Sequence, residues 1–159
     1  MNQHTSLAPL LPQDDPANPA AYETDAVLWF EQQAALLRTR QFEQLDLDNL
    51  IEELEAMASR DRRELASRLE VLLMHLLKCK VQPERKSSGW LGTIREQRAE
   101  IKRLLEESPS LWTCVGAFSH KVYSEAVERA ALQTGLSPLS FPATNPFPQE
   151  LLLDSDYLP

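Results

Sequence analysis

The sequence predicts an all-α protein with four main helices in a bundle, a long antiparallel helical hairpin and a Pro-rich C-terminal strap. Between residues 45 and 105, apolar residues recur at i, i+3, i+4 and i+7, the spacing by which a helix buries one face. Only 4 Gly accompany 11 Pro among the 159 residues. Few glycines argue against many tight β-turns, and most prolines lie at the two ends, outside the helical block.

The first helix is predicted to begin at a cap formed by Thr24 or Asp25 and to end near Thr39. A short polar side chain at this position accepts hydrogen bonds from the free N–H groups of the first turn. The apolar positions of this helix are Val27, Leu28, Phe30, Ala34 and Leu37.

The second helix starts near Asp46 or Asp48 and runs to about Lys80. A polar gap at residues 59–61 could interrupt it, but Leu54 and Leu65 are eleven residues apart and so return to nearly the same face. One long helix is therefore favoured. Its apolar stripe consists of Leu50, Leu54, Met57, Leu65, Leu69, Leu72, Leu73 and Leu76.

Pro83 and the turn at residues 86–89 end the second helix, and Ser88 is the predicted cap of a third helix over residues 90–107. A fourth helix follows Ser108 or Ser110 and reaches Thr134, where Gly135 supplies a left-handed stop. The tail, residues 136–159, is predicted to be extended apart from a short helical turn at 149–153.

Residues 1–20 are predicted to form a flexible leader, and residues 21–159 a single all-α domain. The leader lacks a basic start and a long apolar run, and no stretch approaches the roughly 20 apolar residues of a membrane helix. Cys79 and Cys114 have no metal-binding or redox spacing, so reduced thiols and a cytoplasmic location are expected.

Charge is distributed unevenly along the chain. Residues 60–103 carry 12 of the 16 Lys and Arg but only 6 of the 24 Asp and Glu, a local balance of +6 against −14 elsewhere. A basic middle could face an anionic partner. The favoured interpretation is that acidic and basic helices of one fold neutralise each other.

A set of polar residues lies within or beside the apolar stripes. Arg98 falls inside the stripe of the third helix, where a buried cation requires partners. We expect an ion pair with Glu53 that fixes helix register; the alternative is a cleft in which Arg98 binds an anion. The full candidate cluster is Glu53, His75, Lys78, Gln82, Arg85, Trp90, Glu96, Gln97 and Arg98.

A tight hairpin would place His75, Lys78 and Gln82 at the same end of the bundle as Trp90 and Glu96. These groups could hold the turn closed, which is favoured, or could line a pocket. His75 is expected to be structural, because no HExxH, ExxH pair or Cys/His cluster supports a metal site. No metal or cofactor is predicted.

Basic residues also gather at the hairpin turn. With Trp90 nearby, they could bind phosphate and stack a base, although a solvated turn is the preferred interpretation. They are Lys78, Lys80, Arg85 and Lys86.

Five motifs occur in one order along the chain: LDLDNLIEEL at residues 45–54, HLLK at 75–78, QPER at 82–85, Trp90 and TIREQR at 93–98. Together they resemble a bacterial family catalogued as domain of unknown function 29, over about residues 22–159. One departure is Cys79, where the family often has an aromatic residue. The resemblance implies a small all-helical bacterial protein and implies no reaction.

The absence of catalytic motifs favours a non-catalytic cytoplasmic module for protein interaction or regulation, with another protein as the partner. The sequence does not decide whether the chain is an enzyme, and the absence of enzyme activity is favoured. The alternative is a ligand-binding protein or enzyme with a polar site around His75, Gln82, Arg85 and Arg98. A third hypothesis is a nucleic-acid binder using the basic turn. Nothing in the sequence predicts the oligomeric state, and membrane association is not expected.

Overall fold

A computed structural model describes the backbone of residues 19–159 and the side chains from Tyr22 onward. The predicted leader therefore lies almost entirely outside the described residues. The described chain is all-α and has no strand, which confirms the predicted fold class. Its α-helices are α1 (Pro19–Thr24), α2 (Ala26–Arg38), α3 (Leu47–Val81), α4 (Ser88–Glu107), α5 (Val115–Lys121), α6 (Tyr123–Thr134) and α7 (Gln149–Leu152).

The start of α2 and the end of α6 follow the predicted capping chemistry. The Asp25 carboxylate accepts from the Leu28 N–H at 3.0 Å and begins α2. The cap of α4 is Ser87 rather than Ser88: the Ser87 hydroxyl accepts from the Trp90 N–H at 3.2 Å. Gly135 ends α6 in the left-handed conformation with φ 72°, which only glycine adopts at little cost.

The long second helix is confirmed. α3 runs without interruption for 35 residues and passes through the polar gap at residues 59–61. Since helical geometry rises about 1.5 Å per residue, α3 is roughly 50 Å long. Its length carries it from the N-terminal part of the chain to the hairpin turn at Pro83.

The fourth predicted helix is divided. A 3₁₀ segment, Pro109–Cys114, precedes α5, and a break at Val122 separates α5 from α6. Pro109 occupies the first turn of the 3₁₀ segment, and the Thr113 hydroxyl donates to the Ser110 carbonyl three residues earlier at 3.0 Å. This local bonding competes with the α-helical pattern.

The described chain forms two compact units, unit 1 up to residue 57 and unit 2 over residues 58–159, and α3 contributes to both. In the described part of unit 1, Trp29 is fully buried. Its ring packs edge-on against Tyr22, with centroids 4.9 Å apart, and its indole N–H donates to the Asp46 carboxylate at 3.2 Å. The Asp46 backbone N–H in turn donates to the Gln33 side-chain oxygen at 2.9 Å. The predicted single domain at residues 21–159 stays a prediction.

Unit 2 holds the main apolar core. The second part of α3 supplies the buried residues Leu65, Leu69, Leu72, Leu73, Leu76 and Leu77, and α4 supplies Ile94, Ile101, Leu104 and Leu105. The C-terminal segment adds Phe141, Phe147, Leu152 and Leu153 to the same core. The Tyr123 hydroxyl donates to the Pro142 carbonyl at 2.7 Å, which ties this segment to α6.

Candidate functional site

The predicted polar cluster separates into several groups. Glu53 lies in unit 1, where its carboxylate accepts a hydrogen bond from the Tyr22 hydroxyl. That bond raises the pKa of Tyr22 to about 12, because it favours the protonated phenol. The other candidates lie in unit 2. His75, Lys78, Gln82 and Arg98 are buried, Trp90 and Gln97 are half-buried, and Arg85 and Glu96 are exposed.

Lys78 is held at the hairpin turn by neutral partners. Its ammonium lies 4.2 Å from the centroid of the Trp90 ring and donates to the Gln133 side-chain oxygen at 2.8 Å. Lys78 is only 4% exposed and forms no ion pair among the described residues. Burial therefore lowers its pKa. The contact confirms that the turn brings Lys78 and Trp90 together. The Lys78 ammonium thus interacts with partners inside the fold.

His75 and Gln82 lie near Lys78 on the same end of α3. The His75 Nδ1 atom lies 2.9 Å from the Val71 carbonyl and donates to it. The Gln82 side-chain oxygen is buried with no hydrogen-bond partner in the described part of the chain. Between them, the Cys79 thiol is buried and its pKa is raised by burial, so the neutral, weakly nucleophilic form is favoured.

Acidification is expected to destabilise the fold through His75 before the carboxylates titrate. Burial, followed by the nearby positive charges of Lys78 and Arg129, lowers the pKa of His75 below its usual 6.5. As the pH falls below about 6.5, the unfolded state therefore binds more protons at His75 than the folded state does. The free energy of unfolding consequently decreases as the pH decreases. Urea denaturation between about pH 7 and pH 5 measures the effect. His75→Gln should flatten the profile; an unchanged slope in that variant would assign the loss to other groups.

Arg98 is buried as predicted, but its predicted partner is wrong. Its Nε donates to the Leu152 carbonyl at 2.8 Å and its Nη2 to the Leu151 carbonyl at 3.3 Å. Glu53 bonds instead to Tyr22 within unit 1. Arg98 thus fastens α7 to α4, and the predicted Arg98–Glu53 ion pair is replaced by bonds to main-chain carbonyls.

Within the described residues, no group of three or more His, Cys, Asp and Glu side chains is arranged to hold a metal ion. The described helices also include none with the length and apolar character needed to cross a membrane.

The first half of α3 carries an apolar stripe that is exposed, contrary to the prediction that it is part of the core. Leu54 and Met57 were predicted to extend the core stripe, but their exposed fractions are 60% and 53%. Leu47 and Ile51 are exposed to similar extents. At 100° per residue, Leu47, Ile51 and Leu54 lie within about 60° of one another, so they form one continuous stripe.

α2 has a second exposed apolar face. Its buried residues are Trp29, Gln33 and Leu36, whereas the predicted core positions Val27, Phe30 and Leu37 are 70%, 41% and 44% exposed. Nine of the large apolar side chains that are exposed in the described chain belong to unit 1: Val27, Leu28, Phe30, Leu37, Phe42, Leu47, Ile51, Leu54 and Met57. A concentration of exposed apolar side chains of this kind is typical of surfaces that bind other molecules.

An acidic stripe runs beside the apolar stripe of α3. Asp48, Glu52 and Glu55 are exposed and follow the same i, i+4, i+7 spacing, offset by one residue from Leu47, Ile51 and Leu54. Residues 19–57 as a whole carry nine Asp and Glu against two Lys and Arg, a net charge of −7. We refer to the two stripes together, residues 47, 48, 51, 52, 54 and 55, as the α3 docking surface.

A family model described as Domain of unknown function DUF29 matches residues 21–158 of the chain. No curated protein matches. No solved structure matches either.

Proposed function

We propose that this chain, which belongs to the family described as Domain of unknown function DUF29, is a non-catalytic protein-interaction module. It binds its partner through the α3 docking surface. The observation that carries the proposal is the exposure of Leu47, Ile51 and Leu54 on one face of a well-formed helix. Three large apolar side chains in line are costly to hydrate, and a partner helix would bury them.

The stripe geometry favours a helical partner. Apolar residues at i, i+4 and i+7 match the spacing at which one helix packs along another. The acidic stripe of Asp48, Glu52 and Glu55 runs parallel to them and is solvated. A partner helix with an apolar stripe and a flanking line of Lys or Arg would satisfy both stripes at once.

Charge argues against a second copy of the chain as the occupant. Residues 19–57 have a net charge of −7, so pairing two of these surfaces would bring like charges together. A basic amphipathic helix on another protein has the complementary charge. The partner class is therefore a protein segment that combines Leu-type and Lys-type residues on adjacent faces of one helix.

A synthetic helix tests this recognition directly. The probe is a labelled peptide of about 18 residues with Leu at helical spacing and Lys on the flanks. Binding is measured by fluorescence anisotropy at about 0.15 M salt, where attraction between exposed charges is screened. Ile51→Gln and Leu54→Gln should each weaken binding about fivefold or more, the usual effect of losing an apolar anchor.

Controls separate docking from unfolding and from charge attraction. Leu132→Gln alters a helical leucine that is 86% exposed but lies in unit 2, and it should leave binding unchanged. Each of the three variants should unfold within about 0.5 kcal/mol of the parent, since the replaced side chains are exposed. Equal binding of a Lys peptide with its leucines scrambled, or equal weakening by Leu132→Gln, would refute the docking surface.

The alternative hypotheses rank below this one. For a ligand-binding protein or enzyme around His75, Gln82, Arg85 and Arg98, the Gln82 oxygen without a hydrogen-bond partner is a supporting observation, yet no hydrogen bond in the described part of the chain joins any two of these four side chains. For nucleic-acid binding, Lys80, Arg85 and Lys86 are exposed, while Lys78 is committed to Trp90 and Gln133. We place the module in the bacterial cytoplasm, a location supported by the free thiols of Cys79 and Cys114.

A further inference from the structure

α4 and the C-terminal segment border a small cavity of about 170 Å³. Its lining residues are Arg95, Arg98, Ala99, Lys102 and Ser155. The four residues from α4 have i, i+3, i+4 and i+7 spacing, so a single face of one helix supplies three cations. Like charges at this spacing repel each other, and an anion bound between them would relieve that repulsion.

None of these three cations forms an ion pair with a carboxylate of the described residues. Burial lowers the pKa of Arg98, and Asp154, followed by Tyr157, partly opposes that effect. One Asp154 oxygen accepts from the Asp156 N–H at 2.9 Å, within its own turn. Asp154 does not line the cavity. No carboxylate of the described residues therefore pairs with the positive charge at the cavity.

Hydrogen-bond donors also remain available at the cavity. Two carbonyls fix the Arg98 guanidinium and use two of its five N–H groups, which leaves three. Lys102 donates to the Ser155 hydroxyl oxygen at 3.0 Å. Because that oxygen accepts from the ammonium, the Ser155 hydroxyl hydrogen is free to donate elsewhere.

The cavity size restricts the anion. A volume of about 170 Å³ holds several waters and is large enough for a tetrahedral oxyanion. Planar guanidinium groups suit oxyanions because they present paired donors at the spacing of two oxygens.

We propose that Arg95, Arg98, Lys102 and Ser155 form a binding site for a phosphate-sized oxyanion, either inorganic phosphate or the phosphate group of a small monoester. Arg98 forms the rigid floor, held by the Leu151 and Leu152 carbonyls. Arg95 is exposed and lines the same cavity. The site lies wholly in unit 2 and is independent of the α3 docking surface.

Titration with inorganic phosphate, followed by amide NMR shifts, tests the site. Saturable shifts are expected in α4 and around Ser155, with chloride at matched ionic strength as the reference. Lys102→Gln and Arg95→Gln should each weaken binding about tenfold, as expected for loss of a charge-assisted hydrogen bond. Lys102→Arg should retain binding, because a guanidinium keeps the charge and the donors.

The matched control is Lys121→Gln, which removes an exposed lysine outside the cavity and should leave the affinity unchanged. Glycerol 3-phosphate serves as the monoester: tighter binding than phosphate identifies an ester ligand, and equal binding identifies the free anion. The site is refuted by the absence of saturation up to about 10 mM phosphate. Shifts reproduced by chloride, or equal weakening by Lys121→Gln, would also refute it.

Discussion

Arg98→Ala is expected to lower the free energy of unfolding by about 3 kcal/mol, because two hydrogen bonds from a charged group are lost and each contributes about 1.5–3 kcal/mol. The substitution also removes a guanidinium that is only 3% exposed, and with it the cost of keeping that charge away from water. The net loss of stability therefore lies at the lower end of the sum for two such hydrogen bonds. The loss also leaves the carbonyls of Leu151 and Leu152 without this donor. Urea denaturation followed by circular dichroism measures the effect.

Arg95 provides the matched control for this prediction. It lies on the same face of α4 but is exposed, so Arg95→Ala should change stability by no more than about 0.5 kcal/mol. Arg98→Lys should fall between the two variants, since a single ammonium does not reproduce the paired donors of the guanidinium. If Arg98→Ala and Arg95→Ala unfolded at the same urea concentration, the fastening of α7 to α4 would contribute nothing to stability.

Local chemistry explains why most of the fold could be predicted. Asp25 and Gly135 act at the predicted ends of α2 and α6 through side-chain capping and a left-handed stop, and both effects depend on a few neighbouring residues. The eleven-residue separation of Leu54 and Leu65 indicates a continuous α3, as observed, although only Leu65 of the two is buried. The division of the fourth helix was missed because a Thr113 hydroxyl bond and the break at Val122 leave no mark on the apolar pattern.

The spacing of apolar residues did not distinguish the exposed apolar face of α3 from the buried one. Leu54 and Met57 have the same three-residue spacing as Leu69 and Leu72, yet the first pair is exposed and the second is buried. A helical pattern shows that a face is apolar, but whether the same chain covers that face depends on contacts distant in sequence. The Leu54 stripe is therefore the part of the pattern that carries the proposed function.

The partners of buried polar side chains were predicted only where the turn itself brought them together. Lys78 and Trp90 are joined by a short hairpin, and their contact follows from that connection. The Arg98 bonds reach carbonyls 53 and 54 residues away. Main-chain acceptors are present at every residue, so no side-chain type in the sequence could have pointed to Leu151 and Leu152.

Trp29→Ala is expected to destabilise unit 1 by about 3–5 kcal/mol, the range for removing a fully buried large aromatic side chain. The change removes the edge-on contact with Tyr22 and the indole donor to Asp46. Trp29→Phe should cost less, because a benzene ring keeps part of the apolar contact that alanine loses, although the second ring of the indole and its N–H bond are removed. Trp112→Ala is the control: Trp112 is 49% exposed, and its loss should cost less than about 1 kcal/mol. Amide hydrogen exchange in α2 measures the opening free energy where the change acts. Equal protection of α2 in Trp29→Ala and Trp112→Ala would show that Trp29 does not organise unit 1.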